Sequence, residues 1–289
     1  MAVRYGDESH EVWHGDALQV LNKIEDGSCG LIFVDPPYNI GKNFNGYQDK
    51  WPSDEAYIEW CEEWLALCVD KLTSNGSLYV MASTQSMPFL DLRLRRHVSI
   101  LSRIVWHYDS SGVQARSYFG SLWEPILHCV KNDRDYVFNA DAIKVAARTG
   151  AERKLIDYRK SVPAVYSAEK VPGNVWYFPR VRYRMAEYED HPSQKPEALL
   201  ERIIRASSNE GDTVLDPFAG TFTCSAVAQR LGRRSIGVEQ DEDYVGVGLR
   251  RLGLAAELNG KVLRPLQKTH AVRNGRGAKP PQDTLALDD

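Results

Sequence analysis

Two short apolar runs that each end in Asp-Pro constrain the fold of this chain most strongly. LIFV at 31–34 leads into DPPY at 35–38, and TVL at 213–215 leads into DPFAGT at 216–221. A continuous apolar, β-branched run is typical of a strand that is buried on both faces of a parallel sheet. Similar runs alternate with segments of helical period along the rest of the chain. The sequence therefore predicts an α/β fold with a mostly parallel sheet.

The strand pattern occurs seven times, and the helical pattern is clearest three times. The first helix follows Pro52, with Ser53 as its N-cap, and we expect Asn75-Gly76 to end it. The second follows Lys195, with Pro196 at its first position, and the third runs from about Thr223 to Leu231. The predicted strands are Glu11–His14, Leu31–Val34, Ser77–Met81, Arg103–Trp106, Ile126–Val130, Thr213–Asp216 and Ser235–Val238.

Composition places the chain among cytoplasmic globular proteins. Hydrophobic residues make up 43% and charged residues 26% of its 289 residues. The start has no signal-peptide layout, and no apolar run is long enough to cross a membrane. Five cysteines without a CxxC pair predict free thiols in the core rather than disulfides.

Positive charge is concentrated in residues 140–185. This segment holds ten Lys or Arg against four Asp or Glu, an excess of six, although the whole chain has a formal charge of -3. The remainder therefore carries about -9. We interpret the segment as an insertion that faces an anion, while a solvated surface with scattered charges stays the alternative.

The DPPY loop is suited to hold a group rich in hydrogen-bond donors. Two consecutive prolines fix φ and remove both N–H donors, so the loop is stiff and offers acceptors. An exocyclic base amine is such a group: the Asp35 carboxylate and the Pro36 carbonyl would each accept one of its hydrogens, and Tyr38 would stack on the base. The alternative is a tight turn in which Tyr38 packs inward.

The second Asp-Pro loop is typical of a nucleoside-binding unit. Ala219 and Gly220 are small enough to let backbone N–H groups at a helix start approach a ligand. Glu239 follows Gly220 by 19 residues at the end of the next strand, close to the spacing at which an acid binds ribose hydroxyls. Gly220 as a simple packing residue is the alternative.

Three motifs together resemble one family. DPPY, then HPSQKP at 191–196, then DPFAGT occur in the order found in the β group of amino-methylating DNA methyltransferases. The resemblance runs from about Trp13 to Leu252 and is strongest to solitary bacterial DNA adenine N6-methyltransferases. It implies a single Rossmann-like methyltransferase domain with a seven-stranded sheet, helices on both faces and circularly permuted motif order.

The resemblance also divides the chain. Residues 1–139 would form the catalytic half, 140–185 the target-recognition insertion, 186–262 the cofactor-binding half and 263–289 a disordered tail. It implies S-adenosylmethionine as cofactor without a required metal, double-stranded DNA as partner, and a possible homodimer; no partner nuclease can be inferred.

The resemblance assigns roles residue by residue. Asp35, Pro36, Pro37 and Tyr38 would hold the target adenine. The implied cofactor residues are Asp16 against the cofactor adenine, Lys195 on the methionine carboxylate, Phe218, Ala219, Gly220 and Thr221 against the methionine part, Glu239 on the ribose, and Asp216 without an assigned part of the cofactor. Candidates for DNA contacts are Arg116, Lys154, Arg159, Arg180, Arg182 and Arg184. Phe222 replaces the family's usual second glycine, so the loop must turn without the backbone freedom of a glycine.

Other functions remain open. N4-cytosine methylation would use the same acceptors, although aspartate before Pro-Pro favours adenine in this family. Methylation of a protein glutamine and a DNA-binding module without catalysis are further alternatives. HEVWH at 10–14 fits the HExxH zinc pattern, but its residues favour a strand, so we do not expect zinc. No cysteine follows a proline, which disfavours covalent carbon-5 cytosine chemistry.

Overall fold

The computed structural model describes residues 2–45, 47–109, 115–147, 153–254, 256–258 and 261–263. Residues 264–289 of the predicted tail lie outside this description. The helices are α1 (Ala17–Leu21), α2 (Asp54–Lys71), α3 (Met87–Leu94), α4 (Glu197–Ser207), α5 (Thr223–Arg230) and α6 (Glu242–Leu252), with a 3-10 turn at Ala140–Ile143. The strands are β1 (Val3–Gly6), β2 (His10–His14), β3 (Cys29–Val34), β4 (Asn43–Phe44), β5 (Tyr47–Gln48), β6 (Leu72–Met81), β7 (Ser99–His107), β8 (Trp123–Val130), β9 (Val145–Ala146), β10 (Ile156–Asp157), β11 (Ala164–Val165), β12 (Glu169–Lys170), β13 (Val175–Tyr177), β14 (Thr213–Asp216), β15 (Arg234–Glu239), β16 (Ala256–Leu258) and β17 (Lys261–Leu263).

One large sheet forms the centre of the described fold, in the order β1-β2-β15-β14-β3-β6-β8-β7-β13. All seven predicted strands belong to it, and most of its neighbours are parallel. The expected number of seven strands is wrong, because β1 and β13 extend the sheet to nine. β1 pairs antiparallel with β2, and β13 pairs parallel with β7.

The order of the strands brings distant parts of the sequence together. β14 lies beside β3, with Val214 opposite Leu31 and Leu215 opposite Ile32. Because both strands run in the same direction, their carboxyl ends reach the same edge of the sheet. The loops that follow them, DPPY and DPFAGT, are therefore neighbours although some 180 residues separate them in the chain.

Helices cover both faces of the sheet, as expected. Alternate residues of β3 point in opposite directions: Ile32 and Val34 pack with α1, α2 and α3, whereas Leu31 and Phe33 pack with α4 and α5. All four side chains are buried, which explains why this strand is apolar without interruption. α6 closes a third, smaller core with β2 and the DPFAGT loop.

The helix after Pro52 begins as predicted but ends earlier. The Ser53 side chain caps α2 by accepting the backbone N–H of Ala56. The helix ends at Lys71, and β6 starts at once with Leu72, so Asn75-Gly76 lies within a strand rather than ending the helix. A Cβ on Gly76 would lie 3.1 Å from the Cys29 carbonyl oxygen, so the close approach of β3 explains this glycine.

The described part of the basic segment 140–185 contains little regular structure. Its short strands form two separate pairs, β9 with β12 and β10 with β11. Its last strand, β13, leaves the segment and joins the edge of the central sheet. Among the described residues, no helix is both long and apolar enough to cross a membrane.

Candidate active site

A cavity of about 380 Å³ opens at the sheet edge where β3 and β14 end. It lies between the DPPY loop, the DPFAGT loop and the turn before α4. The predicted residues that line it are Asp16, Asp35, Pro36, Pro37, Lys195, Asp216, Phe218, Ala219, Gly220, Thr221 and Glu239. Tyr38 is joined to this cavity through Asp35. The structure thus brings the predicted catalytic and cofactor residues together.

The DPPY loop is held by hydrogen bonds from three directions. The Tyr38 hydroxyl donates to Asp35 Oδ1 at 2.6 Å, and the Tyr57 hydroxyl of α2 donates to the Pro37 carbonyl at 2.8 Å. The backbone N–H of Tyr38 donates to Asp49 Oδ2 at 3.1 Å. Proline rigidity and these bonds fix the loop, so Asp35 is presented at the cavity wall.

Lys195 extends from the turn before α4 to the DPPY loop. Its Nζ lies 2.5 Å from Asp35 Oδ2 and 3.7 Å from Glu124 Oε2. Burial alone would lower the pKa of Lys195, but the charges of Asp35 and Glu124 outweigh it and raise this pKa. The ammonium is therefore paired with the Asp35 carboxylate, rather than left for a cofactor carboxylate alone.

Glu239 connects the DPFAGT loop to the start of α6 through hydrogen bonds from the backbone. Its Oε2 accepts the N–H of Gly220 at 2.9 Å, and its Oε1 accepts the N–H of Asp241 at 2.8 Å. Burial raises the pKa of Glu239 to about 7. Each carboxylate oxygen keeps a second lone pair, so Glu239 can still accept hydroxyl hydrogens from a ligand.

Asp216 and Asp16 both line the cavity. Burial raises the pKa of Asp216 to about 8, although the N–H of Phe218 donates to its Oδ1. Asp16 caps α1, where its Oδ1 accepts the N–H of Gln19 at 3.0 Å. Asp16 therefore caps α1 and also lines the cavity, so its capping role does not prevent contact with a ligand.

Phe222 stands where the family usually has its second glycine, and the packing of its ring accommodates the side chain. Its backbone is left-handed, with φ 57° and ψ 33°, and its ring is fully buried. A Cβ on Gly237 or on Gly248 would approach that ring to 2.6 or 2.4 Å. Two glycines elsewhere in the chain therefore make room for the ring, and the loop turns as a glycine would allow.

Among the site residues that were not predicted are Glu124, Asp49 and His191. Glu124, at the start of β8, reaches Tyr38 and Lys195; Asp49, which is 1% exposed, binds the backbone N–H groups of Tyr38 and Lys42. His191 lies 3.2 Å from the Cβ position of Gly220, and burial lowers its pKa to about 3. The HPSQKP motif contained the only sequence signal for any of them, because the other two depend on tertiary contacts.

The predicted DNA contacts differ in the partners that the structure gives them. Arg180 is nearest to the site, with its guanidinium 4.9 Å from the Tyr108 ring. Arg159 forms two hydrogen bonds to Asp157, and Arg182 donates to the Asp109 carbonyl. The side chains of Arg116, Lys154 and Arg184 are exposed. Arg180 is thus linked to the DPPY loop through Tyr108 and Glu124.

The charges of the cavity fit S-adenosylmethionine. Five carboxylates line it, those of Asp16, Asp35, Asp216, Glu239 and Asp241, against the ammonium of Lys195. Where they are ionised, these carboxylates favour a ligand that carries a sulfonium and an ammonium, and all five offer acceptors for ribose hydroxyls. The volume lies in the range of small-molecule sites. Among the described residues, no group of three or more His, Cys, Asp or Glu is arranged to hold a metal ion.

Known proteins with this fold and sequence are DNA methyltransferases. The chain is 56% identical to DNA adenine methyltransferase YhdJ of Escherichia coli K12 over 92% of this chain and 90% of that protein. It is 35% identical to type II methyltransferase M.HpaI of Haemophilus parainfluenzae over 85% of this chain and 74% of that protein.

Solved structures show the same fold. The cytosine-N4-specific PvuII DNA methyltransferase aligns with a TM-score of 0.66 at 17% identity, over 86% of this chain and 87% of its own. The SAM complex of M1.HpyAVI aligns with a TM-score of 0.59 at 21% identity, over 85% of this chain and 100% of its own. The N6/N4 methyltransferase family, described as DNA methylase, matches residues 30–249. The chain therefore belongs to the N6/N4 DNA methylase family.

Proposed function

We propose that this protein transfers a methyl group from S-adenosylmethionine to the N6 amine of an adenine flipped out of duplex DNA. One observation carries the proposal. Asp35 of the DPPY loop and Glu239, the residue expected to bind the cofactor ribose, line the same cavity. The name of the E. coli relative, which is similar over nearly the whole chain, supports adenine as the target.

The cofactor would supply an electrophilic methyl group, and the protein residues would position and polarise the amine. The Asp35 carboxylate and the Pro36 carbonyl would accept the two amine hydrogens and so make the nitrogen lone pair available. Pro36 and Pro37 keep these acceptors rigid, which limits the reorganisation needed at the reacting atom. We expect no covalent enzyme intermediate.

The cofactor would extend from the catalytic loop to Glu239. We assign Asp216, Phe218, Ala219, Gly220 and Thr221 to its methionine part, Glu239 to its ribose and Asp16 to its adenine. We also assign Lys195 to the methionine carboxylate, which requires its ammonium to be shared with or released from Asp35. We also propose that the enzyme acts in the cytoplasm. Dimer formation stays a prediction.

The decisive measurement is the modified base itself. DNA from cells that express the protein is digested to nucleosides and analysed by mass spectrometry, and single-molecule sequencing locates the modified sequence. We expect N6-methyladenine in one sequence context. N4-methylcytosine without N6-methyladenine would contradict the adenine assignment.

Asp35→Ala tests the catalytic assignment. We expect methyl transfer to fall by at least about 100-fold, because an acceptor that acts on the reacting group is lost. Cofactor affinity, measured by calorimetry, should stay within about threefold of wild type, since the cofactor contacts remain. Asp133→Ala, an exposed carboxylate at the opposite edge of the sheet, is the control. A near wild-type rate for Asp35→Ala would refute the assignment.

A further inference from the structure

Glu124 is a partly buried carboxylate beside the catalytic loop, and it takes no part in the chemistry assigned to Asp35 and Pro36. It is the second residue of β8, which runs antiparallel to β6, with Ile126 opposite Met81. The start of β8 therefore reaches the sheet edge where β3 ends. This placement depends on strand register alone and puts a second carboxylate beside Asp35.

Donors and cations surround Glu124. Its Oε2 accepts from the Tyr38 hydroxyl at 3.2 Å and lies 3.7 Å from Lys195 Nζ, and its Oε1 accepts from the Tyr108 hydroxyl at 3.3 Å. Its side chain is 14% exposed. Each contact donates a hydrogen or carries positive charge, so both carboxylate oxygens have partners.

Asp35 shares two of the three partners of Glu124, Tyr38 and Lys195, and holds them more closely. The Tyr38 hydroxyl lies 2.6 Å from Asp35 but 3.2 Å from Glu124, and Lys195 Nζ lies 2.5 Å from Asp35 but 3.7 Å from Glu124. In this arrangement both oxygens of Asp35 are engaged. An amine that must donate to Asp35 competes with an ammonium, which is the stronger partner.

We propose that Glu124 is a positioning residue that takes over Lys195 and the Tyr38 hydroxyl when the target base binds, so that Asp35 becomes available to the amine. The inference rests on the proposed function. A shift of Lys195 toward Glu124 keeps the ammonium paired throughout, which avoids an unpaired buried charge. The same shift lets Tyr38 keep a hydrogen bond while Asp35 changes partner.

Arg180 and Tyr108 fix Glu124 on its far side. The Tyr108 side chain is 6% exposed, its hydroxyl holds Oε1, and Arg180 covers its ring. The carboxylate is therefore held in place while its other oxygen faces Lys195. A receiving group needs this fixed position, because a mobile carboxylate would not compete with Asp35.

Two substitutions separate charge from shape. E124Q keeps the size and removes the charge, whereas E124D keeps the charge and shortens the side chain. We expect E124Q to lower the single-turnover rate of methyl transfer by roughly 10- to 100-fold, the effect of losing a charge-assisted contact. E124D should retain more activity than E124Q. If shape alone mattered, the order would be reversed, and the proposal would be wrong.

Binding measurements complete the test on the full-length protein. The Kd for S-adenosylmethionine by calorimetry and the Kd for DNA by fluorescence anisotropy should both stay within about threefold of wild type in E124Q, because the loss lies in the step after binding. Glu59→Gln, an exposed residue of α2, is the matched control and should behave as wild type.

The outcomes distinguish this inference from the proposed function. A wild-type protein that methylates no DNA refutes the proposed function. A wild-type protein that methylates DNA while E124Q does so equally well refutes only the role of Glu124. Failure of both E124Q and E124D to fold, seen by circular dichroism, would also overturn it, since the carboxylate would then serve the fold.

Discussion

At the scale of single residues, Phe222 holds a backbone conformation that costs about 1–2 kcal/mol for a residue with a side chain. Burial of its ring contributes about 1.5–3 kcal/mol in return. The ring fits because Gly237 and Gly248 leave space for it. Loss of a glycine in the cofactor loop is thus compatible with the fold, provided that two other glycines remain.

Substitutions at these positions should be strongly coupled. Gly248→Ala places a methyl 2.4 Å from the Phe222 ring, and we expect a loss of about 1–3 kcal/mol in the free energy of unfolding. Phe222→Ala should cost about 3–5 kcal/mol through the cavity it leaves. Urea denaturation of the double variant should show less than the sum, because alanine at 222 makes room for the new methyl.

The matched control is Gly173→Ala, where an added Cβ meets no atom within 4 Å. It should change the free energy of unfolding by less than about 0.5 kcal/mol. If the losses in the free energy of unfolding of the Phe222 and Gly248 variants are additive, the Phe222 ring and a methyl at 248 do not compete for the same volume.

At the scale of elements, the hairpin of β4 and β5 covers part of the cavity through Phe44 and Tyr47. Asp49 ties this hairpin to the catalytic loop, since its two oxygens accept the backbone N–H groups of Tyr38 and Lys42. Lys42 adds a bond to the Pro192 carbonyl at 2.8 Å. The hairpin and the DPPY loop should therefore respond together to a change at Asp49.

Asp49→Ala removes both hydrogen bonds at once. We expect weaker cofactor binding by about tenfold and a loss of about 1–3 kcal/mol in stability, because two partly buried N–H groups lose their acceptor. Calorimetry and urea denaturation measure the two effects. Gln48→Ala, an exposed residue of the same hairpin, is the control. Unchanged cofactor affinity in Asp49→Ala would show that the hairpin does not shape the cavity.

At the scale of elements, the sequence predicted some strands and site residues but not others. Most of the seven strands were found because they contain a run of apolar or β-branched residues, whereas β1 is largely exposed and β13 has three residues, so neither carries a strong pattern. The residues of DPPY and DPFAGT were found because each motif is contiguous. Glu124 and Asp49 could not be found in this way, since strand register and a hairpin bring them to the site.

At the scale of the whole molecule, positive and negative charges are concentrated at different places. The segment 140–185 has an excess of six positive charges, whereas five carboxylates line the cavity. A negative backbone and a cationic cofactor would thus be attracted to different surfaces. Arg180 lies where the two meet, since it covers Tyr108, which binds Glu124.

Arg180→Ala should weaken DNA binding and reduce its salt dependence. If Arg180 contacts a phosphate, the slope of log K against log salt should fall by about one. Fluorescence anisotropy at several salt concentrations gives the slope. Arg205→Ala, which removes an arginine paired with Glu201 on α4, is the control and should leave the slope unchanged. An unchanged slope in Arg180→Ala would exclude the phosphate contact.

The acidic cavity also makes stability depend on pH. Burial raises the pKa of Asp216 to about 8 and that of Glu239 to about 7, from ordinary values of 3.8 and 4.5. Between these values the folded chain binds more protons than the unfolded chain. Their contribution to stability is therefore complete below about pH 4 and is lost as the pH rises toward 8.

Asp216→Asn tests this dependence because asparagine does not titrate. The free energy of unfolding of wild type, relative to Asp216→Asn, should fall by at least about 1 kcal/mol between pH 5 and pH 8 in urea denaturation without cofactor. His128 and His191 are buried, with pKa values lowered to about 4 and about 3, and titrate in both proteins, so their effects cancel in the difference. Asp133→Asn, an exposed control, should follow the wild-type curve. A difference that stays constant or grows with pH would mean that Asp216 is ionised in the free protein, and the charge available to a cationic cofactor would then be present before binding.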